Sequence, residues 1–327
     1  MQNQDDPLPA HLHDACEPDL RLPGRASGAL EPGGGAVRGI TLVLGGGGFK
    51  GVAHVGVLRA LQAGGVPIER VVGSSAGALM GAAYCYLGDA EEACRLVTGF
   101  LSSEGFRAHS LVGFRRQPGK VPLMSRLVHG IRRQVMLERI FRRSSAFGGS
   151  ALRYIVKSLV PDVDIADLRI PLEVCVLDLQ LGEDLLLSRG DLRTAVTASG
   201  AVPGFFPPVE WHGRLFCDPG LVNNLPTRHA HLGPASRVVA VDLSSGLPSC
   251  RADAVGMEIL LRAQEISTRL ANRRCADEAD VVITPDLDGR HWLDTSNLTS
   301  VIEAGERAAR DAMPQLRELL RAERRAI

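Results

Sequence analysis

The sequence predicts an α/β fold, a three-layer α/β/α arrangement around a mainly parallel central sheet, with a helical basic insert. Three observations carry the prediction. Short apolar runs alternate along the chain with helical patterns, as in a sheet wound with helices. The run PLEVCVLD at 171–178 is apolar almost throughout, as a strand covered on both faces is. The first two runs each lead into a glycine-rich turn that opens a helix.

The elements follow in order. Ile40–Leu44 is a short apolar strand, and the glycines of GGGGFKG follow it. Residues 51–63, GVAHVGVLRALQA, place Val52, Val55, Leu58 and Leu61 near helical spacing, and Gly64-Gly65 stops that helix. A second strand at 68–72 runs into GSSAGALMGAAYCYL. The 18 uncharged residues between Arg70 and Asp89 approach the length of a membrane span. Their Gly, Ala and Ser content favours a strand entering a buried helix instead. Further strands are expected at 171–178, 237–243 and 280–284, and helices near 151–159, 191–199, 256–276 and 301–325.

Composition bounds the organisation. The chain has 327 residues, 45% hydrophobic, which is enough for one sizeable core. The 37 basic and 37 acidic residues cancel, which removes any global argument for a nucleic-acid partner. The neutrality is a sum of unlike parts. Residues 1–38 carry −3, are rich in Pro and Gly, and read as a loosely attached tail. The stretch 101–148 carries +8, and its apolar residues Met124, Leu127, Val128 and Ile131 form a stripe. It reads as a basic amphipathic insert or cap on a single domain at 39–327. The N-terminus lacks an apolar signal segment, so a cytoplasmic location is expected. Seven cysteines without a CxxC spacing read as reduced thiols, and no metal-ligand spacing occurs.

Two turns could carry chemistry. Gly45 to Gly48, between strand and helix, let the backbone turn sharply and bring N–H groups to a helix N-terminus, where an anion is stabilised. The dinucleotide fingerprint is disfavoured, because the second strand ends in Gly73-Ser74-Ser75-Ala76-Gly77 where an acidic residue belongs. That pentapeptide matches G-x-S-x-G at a strand–turn–helix junction, which makes Ser75 a candidate nucleophile. A serine needs a base. The candidates are a histidine, with His291 in DGRHW the best placed, or Asp218 in the turn FCDPG.

Taken together, GGGGFKG with AHVGVL, GSSAG, TASGAVPGFFPPV at 197–209 and DPGLVNNLP at 218–226 resemble the patatin-like phospholipase family. The resemblance covers about 39–310 apart from 101–148. It implies a lipid acyl hydrolase of the phospholipase A or lysophospholipase type, with a catalytic dyad and no cofactor. Ser75 would be the nucleophile and Asp218 the base. Amides around Gly46, Gly47 and Gly48 would form the oxyanion hole, supported by Lys50, Gly51, Gly73, Gly77 and Gly220. His54 would have a structural role. The expected partners are a lipid ester and an anionic membrane surface touched peripherally by 101–148. One departure is Pro219, where the family usually has glycine. Two alternatives follow: a Ser-His-Asp esterase, and a binding module whose site Pro219 has disabled.

Overall fold

A computed structural model describes residues 20–21, 39–109, 145, 147–231, 237–247 and 256–324. The expected strands form the parallel centre of the sheet. They are β2 (Ile40–Leu44), β3 (Ile68–Ser74), β4 (Leu172–Asp178), β8 (Val238–Val241) and β9 (Val281–Ile283). Their spatial order is β4-β3-β2-β8-β9, with every neighbouring pair parallel. Antiparallel strands extend the β4 edge: β5 (Glu183–Leu187), then β1 (Leu20–Arg21). The hairpin β6 (Val209–Trp211) and β7 (Arg214–Cys217) joins the end of β4 through β7.

The strands bury both faces, and the side-chain period of two divides their residues between two cores. Leu42 and Leu44, Val71, Val174 and Val176, Val239 and Val241 enter the larger core. Val43, Val72, Cys175, Val238 and Ala240 enter the smaller one. Helices α1 (Ala53–Ala63) and α2 (Ala76–Leu87) supply much of the larger core, with Val55, Leu58, Leu61 and Met80 buried there. Helix α3 (Ala90–Ser102) begins at Asp89, whose carboxylate accepts from the Glu92 amide at 2.8 Å. It is followed by α4 (Glu104–His109), α5 (Gly149–Leu159) and α6 (Leu192–Ser199). The C-terminal helix α9 (Leu298–Arg324) lies along α1, with Val301, Ile302 and Leu316 in the larger core. The smaller core is covered by α7 (Thr227–Ala230), which contributes Ala230, and by the end of α8 (Gly256–Ala276), which contributes Cys275 and Ala276. The result is helices on both faces of the sheet.

Strands β5, β6 and β7 and helix α3 were not among the expected elements. The basic insert is described only at its two ends, and its apolar stripe at 124–135 lies outside the described residues, as does most of the tail. Five cysteines, Cys85, Cys94, Cys175, Cys217 and Cys275, are free thiols. Among the described residues no helix is long and apolar enough to cross a membrane; the uncharged run after Arg70 is the end of β3 and the buried helix α2.

Candidate active site

The parallel topology sets where chemistry can occur. β2, β3 and β8 run side by side, so their C-terminal ends open together into loops. β2 delivers the glycine loop, β3 delivers Ser75, and β8 delivers Asp242 and Leu243.

Ser75 sits between β3 and α2 with φ 53° and ψ −119°, a conformation that L-residues seldom adopt. Such strain costs on the order of 1–3 kcal/mol and persists where the surroundings over-determine it. Small residues make the turn possible. A Cβ on Gly77 would collide with the carbonyl oxygen of Leu44, and one on Gly73 would stand 2.6 Å from the Ala78 Cα. Gly51 faces the Ala76 Cβ at the start of α2, so the glycine after Lys50 packs against the elbow rather than only easing α1.

Asp218 is buried, and the neighbouring Ser75 hydroxyl favours the charged form of its carboxyl. The Gly220 amide donates to Asp218 Oδ1 at 2.7 Å. Burial pushes the carboxyl up to about 6, with the hydrogen bonds from Ser75 and Gly220 pulling the other way. Pro219 does not displace the aspartate. It opens the 3-10 turn Pro219–Leu221, where a missing N–H leaves nothing unpaired, and Gly220 caps Asp218 instead.

The glycine loop is held from three sides. Gly46 donates its amide to the Asn224 carbonyl at 3.0 Å. That engages one of the three amides expected to form the oxyanion hole. Gly48 has φ +58°, and a Cβ there would meet the carbonyl of Trp292, which accepts from Phe49 N at 2.8 Å. His54 lies in α1, fully buried, and its Nε2–H donates to the Gly45 carbonyl at 2.8 Å. Burial holds its pKa near 4, so the ring is neutral around pH 7. Lys50 is buried too, and its Nζ donates to the Leu243 carbonyl at 2.9 Å. Burial lowers its pKa, while Glu265 and Asp242 act in the opposite direction.

Helix α8 is a further wall that the motifs did not reveal. Thr268 Oγ1 donates to the Gly220 carbonyl at 3.1 Å, and Asn272 Nδ2 donates to Asp242 Oδ1 at 2.8 Å. The Asn-Asn pair after Asp218 also has distinct tasks. Asn224 meets the glycine loop, and Asn223 donates to Asp184 Oδ2 at 2.7 Å.

His229, His231 and His291 have partners other than Ser75. His229 donates to Asp184, His231 Nε2 to the Glu278 carbonyl, and His291 stacks obliquely beside Trp292 with Nδ1 accepting from the Leu293 amide. Cys175, Asp184 and His229 bring three donor atoms within 4.8 Å of one another, a grouping that spacing along the chain does not show. Asp184 already accepts from both His229 and Asn223, and burial holds the Cys175 thiol well above its usual pKa. Asp184 thereby links His229 of α7 to Asn223 of the Asp218 loop.

The model of the family described as patatin-like phospholipase matches residues 42–231. The chain is 28% identical over 312 residues to an uncharacterized NTE family protein of Mycobacterium tuberculosis, covering 88% of this chain and 48% of that protein. It is 28% identical over 293 residues to patatin-like phospholipase domain-containing protein 7 of Rattus norvegicus, covering 81% of this chain and 20% of the relative. The neuropathy target esterase sws of Drosophila melanogaster matches at 30% identity over 208 residues, 63% of this chain and 13% of that protein. The chain thus spans half or less of the length of these relatives. Among solved structures, VipD from Legionella pneumophila aligns with TM-score 0.47 and 17% identity, over 88% of this chain and 67% of that one.

Proposed function

The chain belongs to the patatin-like phospholipase family, and from that premise we propose that it hydrolyses carboxylic esters of lipids through Ser75 and Asp218. The observation that carries the reading is the strained Ser75 beside the buried Asp218 carboxylate, at the mouth of a parallel sheet. Asp218 accepts the Ser75 proton as Oγ attacks the acyl carbonyl. The carbonyl's electron pair moves to its oxygen, which the amides of Gly47 and Gly48 receive. One such donor contributes about 3 kcal/mol of transition-state stabilisation. The intermediate collapses by expelling the alkoxide, which takes the proton from Asp218. Water, deprotonated by Asp218, then attacks the acyl-Ser75 ester and releases the fatty acid.

A lipid substrate fits the surroundings. Leu221 and Val222, on the loop that carries Asp218, are 37% and 55% exposed, an apolar lip beside a polar centre. Residues 39–327 act as one catalytic domain in this reading. Peripheral contact with anionic membrane through 101–148 belongs to the same proposal, as does a phospholipase A or lysophospholipase preference.

The test is turnover of long-chain acyl esters and labelling by a fluorophosphonate. Wild type is expected to be labelled at Ser75, and Ser75→Ala and Asp218→Asn to lose turnover. Full turnover in either variant, or its abolition by His291→Ala with Asp218→Asn still active, would sink the dyad.

A further inference from the structure

We infer that Ser199 is a positioning residue for the nucleophile, and that the turn it begins spaces Ser75 against Asp218. This deepens the proposed Ser75–Asp218 chemistry and rests on it. Ser199 ends α6, is wholly buried, and belongs to the TASGAVPGFF segment, to which the hydrolytic scheme assigns no task. Its hydroxyl accepts the backbone N–H of Ser75 at 2.8 Å and donates to the Cys175 carbonyl at 2.7 Å. One hydroxyl therefore ties the strained elbow to the middle of β4. Two residues on, the Ala201 carbonyl accepts the backbone N–H of Asp218 at 3.1 Å. The Ser199–Ala201 segment thus grips the main chain of both members of the pair.

That segment is itself tied down by backbone hydrogen bonds. The Gly200 amide donates to Val196 at 3.0 Å and the Ala201 amide to Ala198 at 3.1 Å, closing the end of α6. Ser75 keeps φ 53° only while its neighbours enforce it. Its amide is directed at Ser199 Oγ in a place with no surface for water to replace that acceptor. Without the hydroxyl, the elbow can turn its N–H toward another acceptor, and the same rotation swings Ser75 Oγ away from Asp218. Ser74 supplies an internal control. It is equally buried, adjacent to the nucleophile, and its Oγ has no hydrogen-bond partner among the described residues.

The experiment compares Ser199→Ala with Ser74→Ala in the full chain, using a fluorophosphonate and a soluble short-chain ester. Ser199→Ala is expected to lower the labelling rate and kcat about 10- to 100-fold, the scale of a misplaced reacting group, with KM changed by less than about twofold. Ser74→Ala is expected to stay near wild type. The acid limb of kcat/KM should also move to higher pH in Ser199→Ala, because Asp218 loses the Ser75 hydrogen bond that lowers its pKa. A purely structural loss would reduce the amount of active protein without moving that limb. Should Ser199→Ala fail to fold, Ser199→Thr and Ser199→Val match in volume and differ in the hydroxyl; the threonine variant is expected to label at least about tenfold faster. A labelled wild type whose Ser199→Ala variant reacts at the rate of Ser74→Ala, or equal rates for the Thr and Val variants, overturns the positioning role alone. A wild type not labelled at Ser75 overturns the reading of the site and this role with it.

Discussion

Gly46 and Asn224 grip each other twice: the Gly46 amide donates to the Asn224 carbonyl at 3.0 Å, and Asn224 Nδ2 donates to the Gly46 carbonyl at 3.4 Å. This contact joins the glycine loop to the loop of Asp218. It also leaves no room for a side chain, since a Cβ on Gly46 would strike Asn224 Oδ1 and stand 3.1 Å from the Ser75 Cβ. Gly46→Ala is therefore expected to lower kcat by about a hundredfold through displacement of the loop. Asn224→Ala alone should cost less, about tenfold, since its longer hydrogen bond is weak. The double variant should recover part of the Gly46→Ala loss, because the colliding atom is gone. A double-mutant cycle on turnover checks this, and strictly additive effects would exclude the collision as the cause.

Pro219 stands where glycine is usual in the family, yet the geometry accommodates it. The residue opens a 3-10 turn, and the cap on Asp218 comes from Gly220. Pro219→Gly is expected to keep kcat within about threefold and to lower stability by about 0.4–1 kcal/mol, from the larger freedom of the unfolded chain. Gly220→Pro would instead remove the amide that donates to Asp218 and should abolish turnover. Urea midpoints and initial rates on the two variants separate these effects. A large gain in rate from Pro219→Gly would show that proline holds the aspartate out of place.

The five parallel strands were legible because each is covered on both faces and so appears as a continuous apolar run. Ser75 stands out as a candidate because a strand end and small residues surround it, whereas Asp218 alone reads as an ordinary Asp-Pro-Gly turn and only the family resemblance singles it out. β5, β6 and β7 were not, since EDLLL, VEW and RLFC are short and mixed in polarity, and their pairing with β4 is a tertiary fact. The same applies inside the site. Nothing local shows that the Gly46 amide is already taken by Asn224, or that Thr268, 50 residues beyond Asp218 in the numbering, reaches the Gly220 carbonyl. Ser199 lay in a motif that could be recognised, but its partners, Ser75 and Cys175, are defined only by the meeting of α6 with the end of β3 and the middle of β4.

Asp218 holds a carboxylate where burial disfavours its charge. Its pKa of about 6 stands above the usual 3.8. Such a group contributes stability below its unfolded pKa and loses it as pH rises through 6. At neutral pH the cost is on the order of 2–3 kcal/mol, from about 1.4 kcal/mol per pH unit between the unfolded and folded values. Asp218→Asn keeps an oxygen that can accept from Gly220 and removes the charge. It is expected to be inactive and more stable than wild type near neutral pH, as strained active sites often permit. Calorimetry at about pH 7.5 checks the sign. A variant less stable than wild type there would contradict the buried-charge account. In wild type, kcat/KM should fall as pH drops through about 6, where the base becomes protonated.

His54 makes the acid behaviour a difference between two groups. Its pKa is lowered by burial from 6.5 to about 4, so between those values the unfolded chain binds a proton that the folded chain does not. His54 therefore removes stability as pH falls through that window. Asp218 does the reverse between 3.8 and about 6, where the folded chain holds the extra proton. Over about pH 4 to 6 the two slopes oppose and nearly cancel. Asp218→Asn removes one of them and should leave stability falling toward acid, with a slope steeper than wild type by up to about 1.4 kcal/mol per pH unit, the value for one proton. Replacing His54 with Gln, which can still donate to the Gly45 carbonyl, should tilt the slope the other way. Urea unfolding of the three proteins at several pH values across the window measures both slopes. Parallel curves would mean that neither group changes its proton binding on folding, and the burial assigned to the two side chains would then be wrong.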